Sequence, residues 1–231
     1  MKRILASTLF SVLLVGNFGV SLGYAEIQSV SKTTGHVELV ENFEFIDPRD
    51  PDDPTQPMTP DEDTNLPTGN IGPLSLDVAP KSFDFGKQEM YQTTHTYKGV
   101  HSEDAPDQYI QVTDNRDADV YGWVVTVRQE NYLTSDDNVL EGASIHIPAG
   151  EARCNLNPIA TDIDPTLTGE SVEIALEEEK IFYPNIEGAG KGTSILKWRP
   201  NEVALTIPAK QAKQGNYTNT ILWTLTADAV Y

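Results

Sequence analysis

The sequence predicts an all-β fold, an antiparallel β-sandwich, for residues 73–231. Short alternating or apolar segments are separated by turn residues throughout this region, as in other all-β domains. Helical periodicity is not sustained there, and the prolines fall between the apolar segments, where β-architecture tolerates them. The region is long enough for one core with roughly eight strands. The pattern leaves open whether the topology is immunoglobulin-like or jelly-roll.

Eight segments carry the strand pattern, each bounded by glycine, proline or other turn formers. Residues 177–180, an acidic run ending in lysine, could close a helical turn or form a solvated strand end. The predicted strands are 74–78, 82–86, 109–113, 122–129, 143–147, 172–176, 203–207 and 218–227.

The N-terminus has the pattern of a secretory signal peptide over residues 1–25. Lys2 and Arg3 supply positive charge, a mostly apolar run follows, and Gly23 and Ala25 are the small residues that a signal peptidase reads. Glycines and a polar residue, Asn17, interrupt the run, which disfavours a retained transmembrane helix. We expect an exported chain that begins at residue 26 and does not insert into the membrane.

Two segments of different composition precede the β-domain. Residues 26–46 form a short N-terminal segment with scattered apolar residues, whereas 47–72 is rich in proline and acids. Because 47–72 has few apolar side chains to offset the entropy of ordering, it is predicted to be a disordered spacer. Its aspartates could be calcium ligands, but the spacing of an EF-hand is absent, so we predict no metal site.

Composition excludes several classes of function. The formal net charge of -19 opposes nucleic acid binding. A single cysteine, Cys154, excludes an intramolecular disulfide and is expected to be a partly buried small apolar residue. The four histidines are scattered, with no HExxH motif, catalytic triad or Cys-His pattern. The sequence therefore predicts a protein that is not an enzyme and has no cofactor.

Two tryptophans lie on the apolar sides of strands that are far apart in the chain. Trp123 begins an alternating segment that continues to Val127, and Ile221, Trp223 and Leu225 share one side of the last segment. The two indoles could stack in the core or line an exposed groove, and the pattern leaves both possibilities open.

The segments around these tryptophans resemble the motifs of WxL domains from low-GC Gram-positive bacteria. Residues 215–225 (GNYTNTILWTL) resemble the distal Trp-x-Leu motif, and 112–116 (VTDNR) followed by 122–127 (GWVVTV) resembles the proximal one. The proximal motif departs from the pattern in having Val125 where the family has leucine, and the last strand lacks a terminal proline often seen there. The resemblance runs from about Gly72 to the C-terminus, and further matching segments are 83–86, 140–143 and 188–192.

The resemblance implies non-covalent attachment to peptidoglycan at the cell surface, and the architecture resembles the small, single-WxL type. It also implies a multi-protein surface complex with other WxL proteins and a membrane-anchored WxL-interacting protein. Two alternatives stay open. One is an adhesin that binds a host extracellular matrix protein, and the other is a subunit held at the surface only through the interacting partner.

Seven residues are the candidate binding residues. The tryptophans could stack on sugar rings or on a partner's apolar anchor, and Trp198 is expected to be partly exposed because Lys197 and Arg199 flank it. The polar triplet before the Trp123 strand could make a turn, hydrogen-bond to acetamide groups of amino sugars, or hold a cation. The set comprises Trp123, Trp223, Leu225, Trp198, Asp114, Asn115 and Arg116.

Overall fold

The computed structural model of the chain describes residues 29–59, 63–100 and 106–227. The predicted signal peptide lies outside these ranges. No helix in the described part of the chain is long and apolar enough to cross a membrane. The chain divides into two units, Met1–Leu39 and Val40–Tyr231. The described part of the first, residues 29–39, is exposed and contains no helix or strand.

The regular secondary structure of the second unit is almost entirely strand, and its described residues also contain one 3-10 helix, Pro200–Glu202. The all-β prediction is therefore confirmed. The strands are β1 (Asn65–Pro67), β2 (Leu74–Pro80), β3 (His95–Lys98), β4 (Gln108–Asp114), β5 (Val124–Gln129), β6 (Thr134–Ser135), β7 (Asn138–Val139), β8 (Ser144–Ile147), β9 (Glu151–Cys154), β10 (Leu167–Gly169), β11 (Val172–Ile174), β12 (Glu179–Pro184), β13 (Gly192–Trp198), β14 (Ala204–Ile207) and β15 (Ile221–Thr226).

The strands form three antiparallel sheets and one small hairpin. The large sheet has the order β1-β2-β4-β13-β9, and the two four-stranded sheets have the orders β10-β12-β5-β15 and β11-β8-β14-β3. Strands β6 and β7 form the hairpin. Each sheet pairs strands that are distant in the chain, such as β4 with β13 and β5 with β15. The arrangement agrees with a β-sandwich.

One core takes buried side chains from all three sheets. The period of two along each strand sends alternate residues inward, so that Val125 and Val127 of β5 are buried in the core. The indole of Trp123 packs edge-on against Phe182, with ring centroids 5.0 Å apart. Cys154 is also buried, and burial raises the pKa of its thiol, which suits a packing role. Other core residues are Leu76, Val112, Ile145, Leu167, Ile174, Leu196 and Leu205.

The face of the large sheet opposite this core is covered by residues 47–58, here called the 47–58 strap. Met58 packs against a small buried cluster of Val78, Tyr109 and Ile195. The backbone N–H of Arg49 donates to Oε1 of Gln111 over 2.8 Å. Nε2 of Gln111 in turn donates to the carbonyl oxygen of Asp47 over 3.2 Å.

Residues 47–59 and 63–72, within the segment predicted to be a disordered spacer, make several specific contacts with the large sheet. Residues 65–67 form β1, which pairs with β2, and Nζ of Lys197 lies 2.6 Å from Oδ1 of Asp52. Turns within the strap are closed by backbone bonds such as Asp53 N–H to the carbonyl of Asp50, 3.1 Å. Polar contacts with the sheet, together with the packing of Met58, hold the strap in place although its composition is poor in apolar residues.

A buried polar cluster lies on the same face of the large sheet as the strap. Asp77 is 1% exposed, and its carboxylate accepts hydrogen bonds from Ser75, Gln111 and Thr113. Burial raises the pKa of Asp77, and the three hydrogen bonds counteract part of that increase. Gln111 joins this cluster to the strap, because it bonds both Asp77 and the Asp47 carbonyl.

Most of the predicted strands coincide with strands of the structure, but the one at 82–86 is wrong. There the Asp84 carboxylate accepts the N–H of Gly86, which has a φ of +62°, so the segment makes a turn. Residues 179 and 180 of the acidic run begin β12 and are exposed, in agreement with the alternative of a solvated strand end. Strands β1, β3, β6, β7, β9, β10 and β13 were not predicted, and β12 was anticipated only at its start.

Candidate functional site

An open groove of about 1710 Å³, here called the Trp223 groove, lies on the surface of the second unit. Its walls are residues 80–90, residues 133–140 and the long connection 212–221 that leads into β15. Aromatic side chains from distant parts of the chain meet in it, and they are Phe83, Phe85, Tyr97, Tyr217 and Trp223.

Strand β15 places Trp223 at this groove. It pairs with β5 on one side, with Trp223 opposite Val127, and no described strand pairs with its other edge. Alternation turns Ile221, Trp223 and Leu225 toward the core, yet all three are only partly buried, whereas Val127 is 1% exposed. The apolar side of the last strand is therefore incompletely covered.

Hydrogen bonds hold the walls of the Trp223 groove in place. Thr134 and Thr218 exchange two backbone bonds of 2.8 and 3.0 Å, which tie the 212–221 connection to the β6-β7 hairpin. On the opposite wall, the hydroxyl of Tyr97 donates to the carbonyl oxygen of Glu89 over 2.8 Å. Aromatic rings in such a groove can stack on apolar surfaces of a ligand while the walls supply hydrogen bonds.

The walls of the Trp223 groove are polar and mixed in charge. Hydroxyl and amide groups alternate with three lysines and three acids, so a ligand would meet both donors and acceptors. The polar lining residues include Ser82, Gln88, Asn138, Asn216, Lys81, Lys87 and Lys213.

Trp198 is buried, so the expectation that it is partly exposed is wrong. It is 3% exposed, its Nε1–H donates to Oε1 of Gln108 over 3.2 Å, and its ring stacks on that of Trp223 at 6.2 Å. Strand alternation explains the difference, because Lys197 points to the strap side of β13 and Trp198 to the core side. Trp198 therefore packs against Trp223 on the core side.

Trp123 is fully buried and lies outside the Trp223 groove. Its Nε1–H donates to the carbonyl oxygen of Gly190 over 3.0 Å. Of the three tryptophans, only Trp223 lines the groove, and Leu225 packs against the core beside it. The two tryptophan motifs therefore have different surroundings, since one indole is enclosed and the other is open to a groove.

Asp114 and Arg116 of the polar triplet before Trp123 form an ion cluster with Lys191, here called the Asp114 cluster. Asp114 is 1% exposed, and its carboxylate accepts from Nε of Arg116 at 2.9 Å and from a terminal guanidinium nitrogen at 2.8 Å. Nζ of Lys191 lies 3.3 Å from the same carboxylate.

The Asp114 cluster closes the loop between β4 and β5. The Lys191 ammonium donates to the carbonyls of Arg116, Asp117 and Val120, and the Arg116 guanidinium donates to that of Gly122. Asn115 is exposed. The cluster is not part of the Trp223 groove, and these intrachain contacts agree with the turn-making interpretation of the triplet.

The structure also bears on metal and catalytic sites. Among the described residues, no group of three or more His, Cys, Asp or Glu side chains is arranged to hold a metal ion. His146 pairs with Glu173 at 3.1 Å, but Glu173 is a half-exposed carboxylate at the surface of the β8-β11 pair, outside the Trp223 groove.

Sequence reasoning identified Trp223 but not the other walls of its groove. Phe83 and Phe85 belong to the matching segment 83–86, and Tyr217 precedes the last strand, so each was visible as an aromatic residue. Their meeting depends on long-range packing between residues 80–90 and 212–223, which local patterns do not report.

Comparison with known proteins agrees with the motifs. The family model described as WxL domain surface cell wall-binding matches residues 26–228, which includes the N-terminal segment and the strap as well as the β-domain. No curated protein and no solved structure matches the chain. The match covers nearly the whole sequence. The chain therefore belongs to the WxL domain family and is a cell-wall-binding surface protein.

Proposed function

We propose that this chain is a non-catalytic component of a multi-protein surface complex, attached non-covalently to peptidoglycan through the Trp223 groove. The observation that carries the proposal is the incompletely buried apolar side of β15, where Trp223 faces an open groove with aromatic rings on its other walls. A membrane-anchored WxL-interacting protein and other WxL proteins are the proposed partners in the complex.

The chemistry of the Trp223 groove suits a glycan strand. Sugar rings have apolar faces that stack on indole and phenyl rings, and their hydroxyl and acetamide groups need hydrogen-bond partners. The rings of Trp223, Phe85 and Tyr217 supply the stacking surfaces, and polar wall residues such as Gln88 and Asn216 supply the hydrogen-bond partners. An open groove also accepts a polymer that continues beyond both of its ends.

The distribution of charge favours the glycan over anionic wall polymers. The formal net charge of -19 repels teichoic acids, whereas the sugar backbone of peptidoglycan is not polyanionic. Lys81, Lys87 and Lys213 line the groove, so the local field there is less negative than the average of the chain. These lysines can also meet carboxylates of the peptide stems.

Co-sedimentation of the purified secreted chain with teichoic-acid-stripped peptidoglycan tests the groove. Replacing Trp223 with leucine keeps an apolar cover on the core but removes the stacking surface, which contributes about 1 kcal/mol. Binding should therefore weaken roughly fivefold or more. Trp223→Phe should bind more tightly than the leucine variant, because it keeps an aromatic ring.

The matched control is Leu222→Ala. Leu222 is the neighbouring residue of β15, is 37% exposed, and lies on the side of the strand away from the core. The Leu222→Ala variant should bind peptidoglycan as tightly as the unmodified chain does. If Trp223→Leu bound peptidoglycan as tightly as the unmodified chain, that result would contradict a role for Trp223. Failure of the unmodified chain to bind would favour attachment only through a partner protein.

A further inference from the structure

The segment 37–45 (VELVENFEF) has the pattern of a half-buried strand. In an extended conformation Val37, Leu39, Phe43 and Phe45 point to one side, and Glu41 alone interrupts that apolar row. The other side carries Glu38, Val40, Asn42 and Glu44, three of them polar. β-branched and aromatic residues at these positions favour strand pairing.

The structure leaves these apolar side chains uncovered. Val37, Leu39, Phe43 and Phe45 are 75%, 88%, 59% and 42% exposed. None of the described residues before Phe45 belongs to a strand or bridge, and Phe45 itself makes one bridge to Ile71. A row of large apolar side chains exposed in this way marks a site of interaction with another molecule.

The chain is fixed directly after this segment. The carbonyl of Asp47 accepts from Gln111, Arg49 is bonded to the same side chain, and Asp52 pairs with Lys197 of β13. The C-terminal end of the segment therefore starts from a fixed point on the large sheet. This limits the conformational entropy that would be lost when residues 37–45 become ordered on a partner.

We propose that residues 37–45 bind another protein by adding as a strand to an open edge of its sheet. In this mode main-chain hydrogen bonds supply affinity, and alternate pockets select side chains. The proposal goes beyond the assignment of the Trp223 groove and gives the surface complex a specific contact. It needs none of the residues of that groove.

Charge identifies the kind of partner. Residues 37–45 include three glutamates and no basic residue, and the whole chain has a formal net charge of -19. A second copy of this chain would therefore be repelled, whereas an edge flanked by lysine or arginine would be attracted. The partner has apolar pockets at alternate positions along an open sheet edge and basic side chains beside it.

Site-specific photo-cross-linking in cells that secrete the full chain tests this contact. A photoreactive phenylalanine analogue is placed at position 39 or 43, on the apolar side, and at position 38 or 42 as the matched control. We expect a discrete adduct with one other protein, several-fold stronger from 39 and 43, because only that side enters the partner's pockets. Added salt should reduce the adduct.

A proline placed at position 40 provides a second criterion. Val40→Pro removes a backbone N–H and fixes φ, so strand pairing and the adduct should be lost. Equal yield from both sides, an adduct of two copies of this chain, an adduct only with glycan, or no adduct would each overturn the proposal. The doubly substituted chain Leu39→Asp with Phe43→Asp should lose the partner but still sediment with purified peptidoglycan, which separates this proposal from that of the groove.

Discussion

Replacing Asp114 with alanine is expected to destabilise the β-domain by about 3 kcal/mol or more, because it leaves two cations unpaired in a mostly buried site. The side chains of Arg116 and Lys191 are 11% and 19% exposed, and the Asp114 side chain between them is fully buried. Without the carboxylate, the positive charges of Arg116 and Lys191 repel each other, and little water is present to screen that repulsion. Urea unfolding of the purified chain measures the loss.

Asp117→Ala is the matched control for Asp114→Ala. Asp117 lies in the same loop and is exposed, and among the described residues its carboxylate accepts one hydrogen bond, from the backbone N–H of Asp119 at 3.0 Å. Its removal should change the free energy of unfolding by no more than about 0.5 kcal/mol. Similar small losses for both variants would show that the Asp114 cluster does not stabilise the fold.

Gly190→Ala is expected to destabilise the domain by about 2 to 4 kcal/mol, from backbone strain and from overpacking against Trp123. Gly190 has a φ of +75°, and a Cβ there would lie 2.8 Å from Nε1 of Trp123. The added carbon would therefore push the indole away from the carbonyl to which it donates. Thermal unfolding, with near-ultraviolet circular dichroism to follow the indole, measures the effect.

Gly188 provides a matched control for Gly190. It has a φ of +80°, but a Cβ there would have no neighbour within 4 Å. Gly188→Ala should therefore show only the cost of the left-handed backbone, about 1 kcal/mol. If both alanine variants lost the same stability, the close approach of residue 190 to Trp123 would have no energetic importance.

These two predictions assign a structural role to the proximal motif. Asp114 and Arg116 close the loop before Trp123, and Trp123 is locked to Gly190 of the glycine-rich segment. Three segments of this chain that resemble family motifs, 112–116, 122–127 and 188–192, thus meet in one packed region. We therefore expect the proximal motif to maintain the fold, whereas Trp223 of the distal motif lines the groove proposed to bind a ligand.

Strand alternation allowed several elements to be predicted from sequence. The segments at 122–129 and 218–227 contain β5 and β15, and the inward side of each was identified from its apolar residues. Strand β13 was missed because hydroxyl side chains and Lys197 interrupt its apolar row. Lys197 is tolerated there because Asp52 and Asp107 lie 2.6 and 2.9 Å from its ammonium group.

The 47–58 strap and the Trp223 groove depend on contacts between residues far apart in the chain. The strap is fixed by pairs such as Arg49 with Gln111 and Asp52 with Lys197. The groove depends on Phe85 and Tyr217, which belong to different walls. Composition and periodicity describe neighbours along the chain, so neither feature could be predicted from them.

The central claim is that the Trp223 groove receives the wall glycan, and indole N–H signals in an NMR titration test it most directly. The chain has three tryptophans, and their environments differ in the structure. Soluble peptidoglycan fragments should shift or broaden the Trp223 signal saturably and leave that of buried Trp123 unchanged. No change at Trp223, or equal changes at both, would contradict the claim.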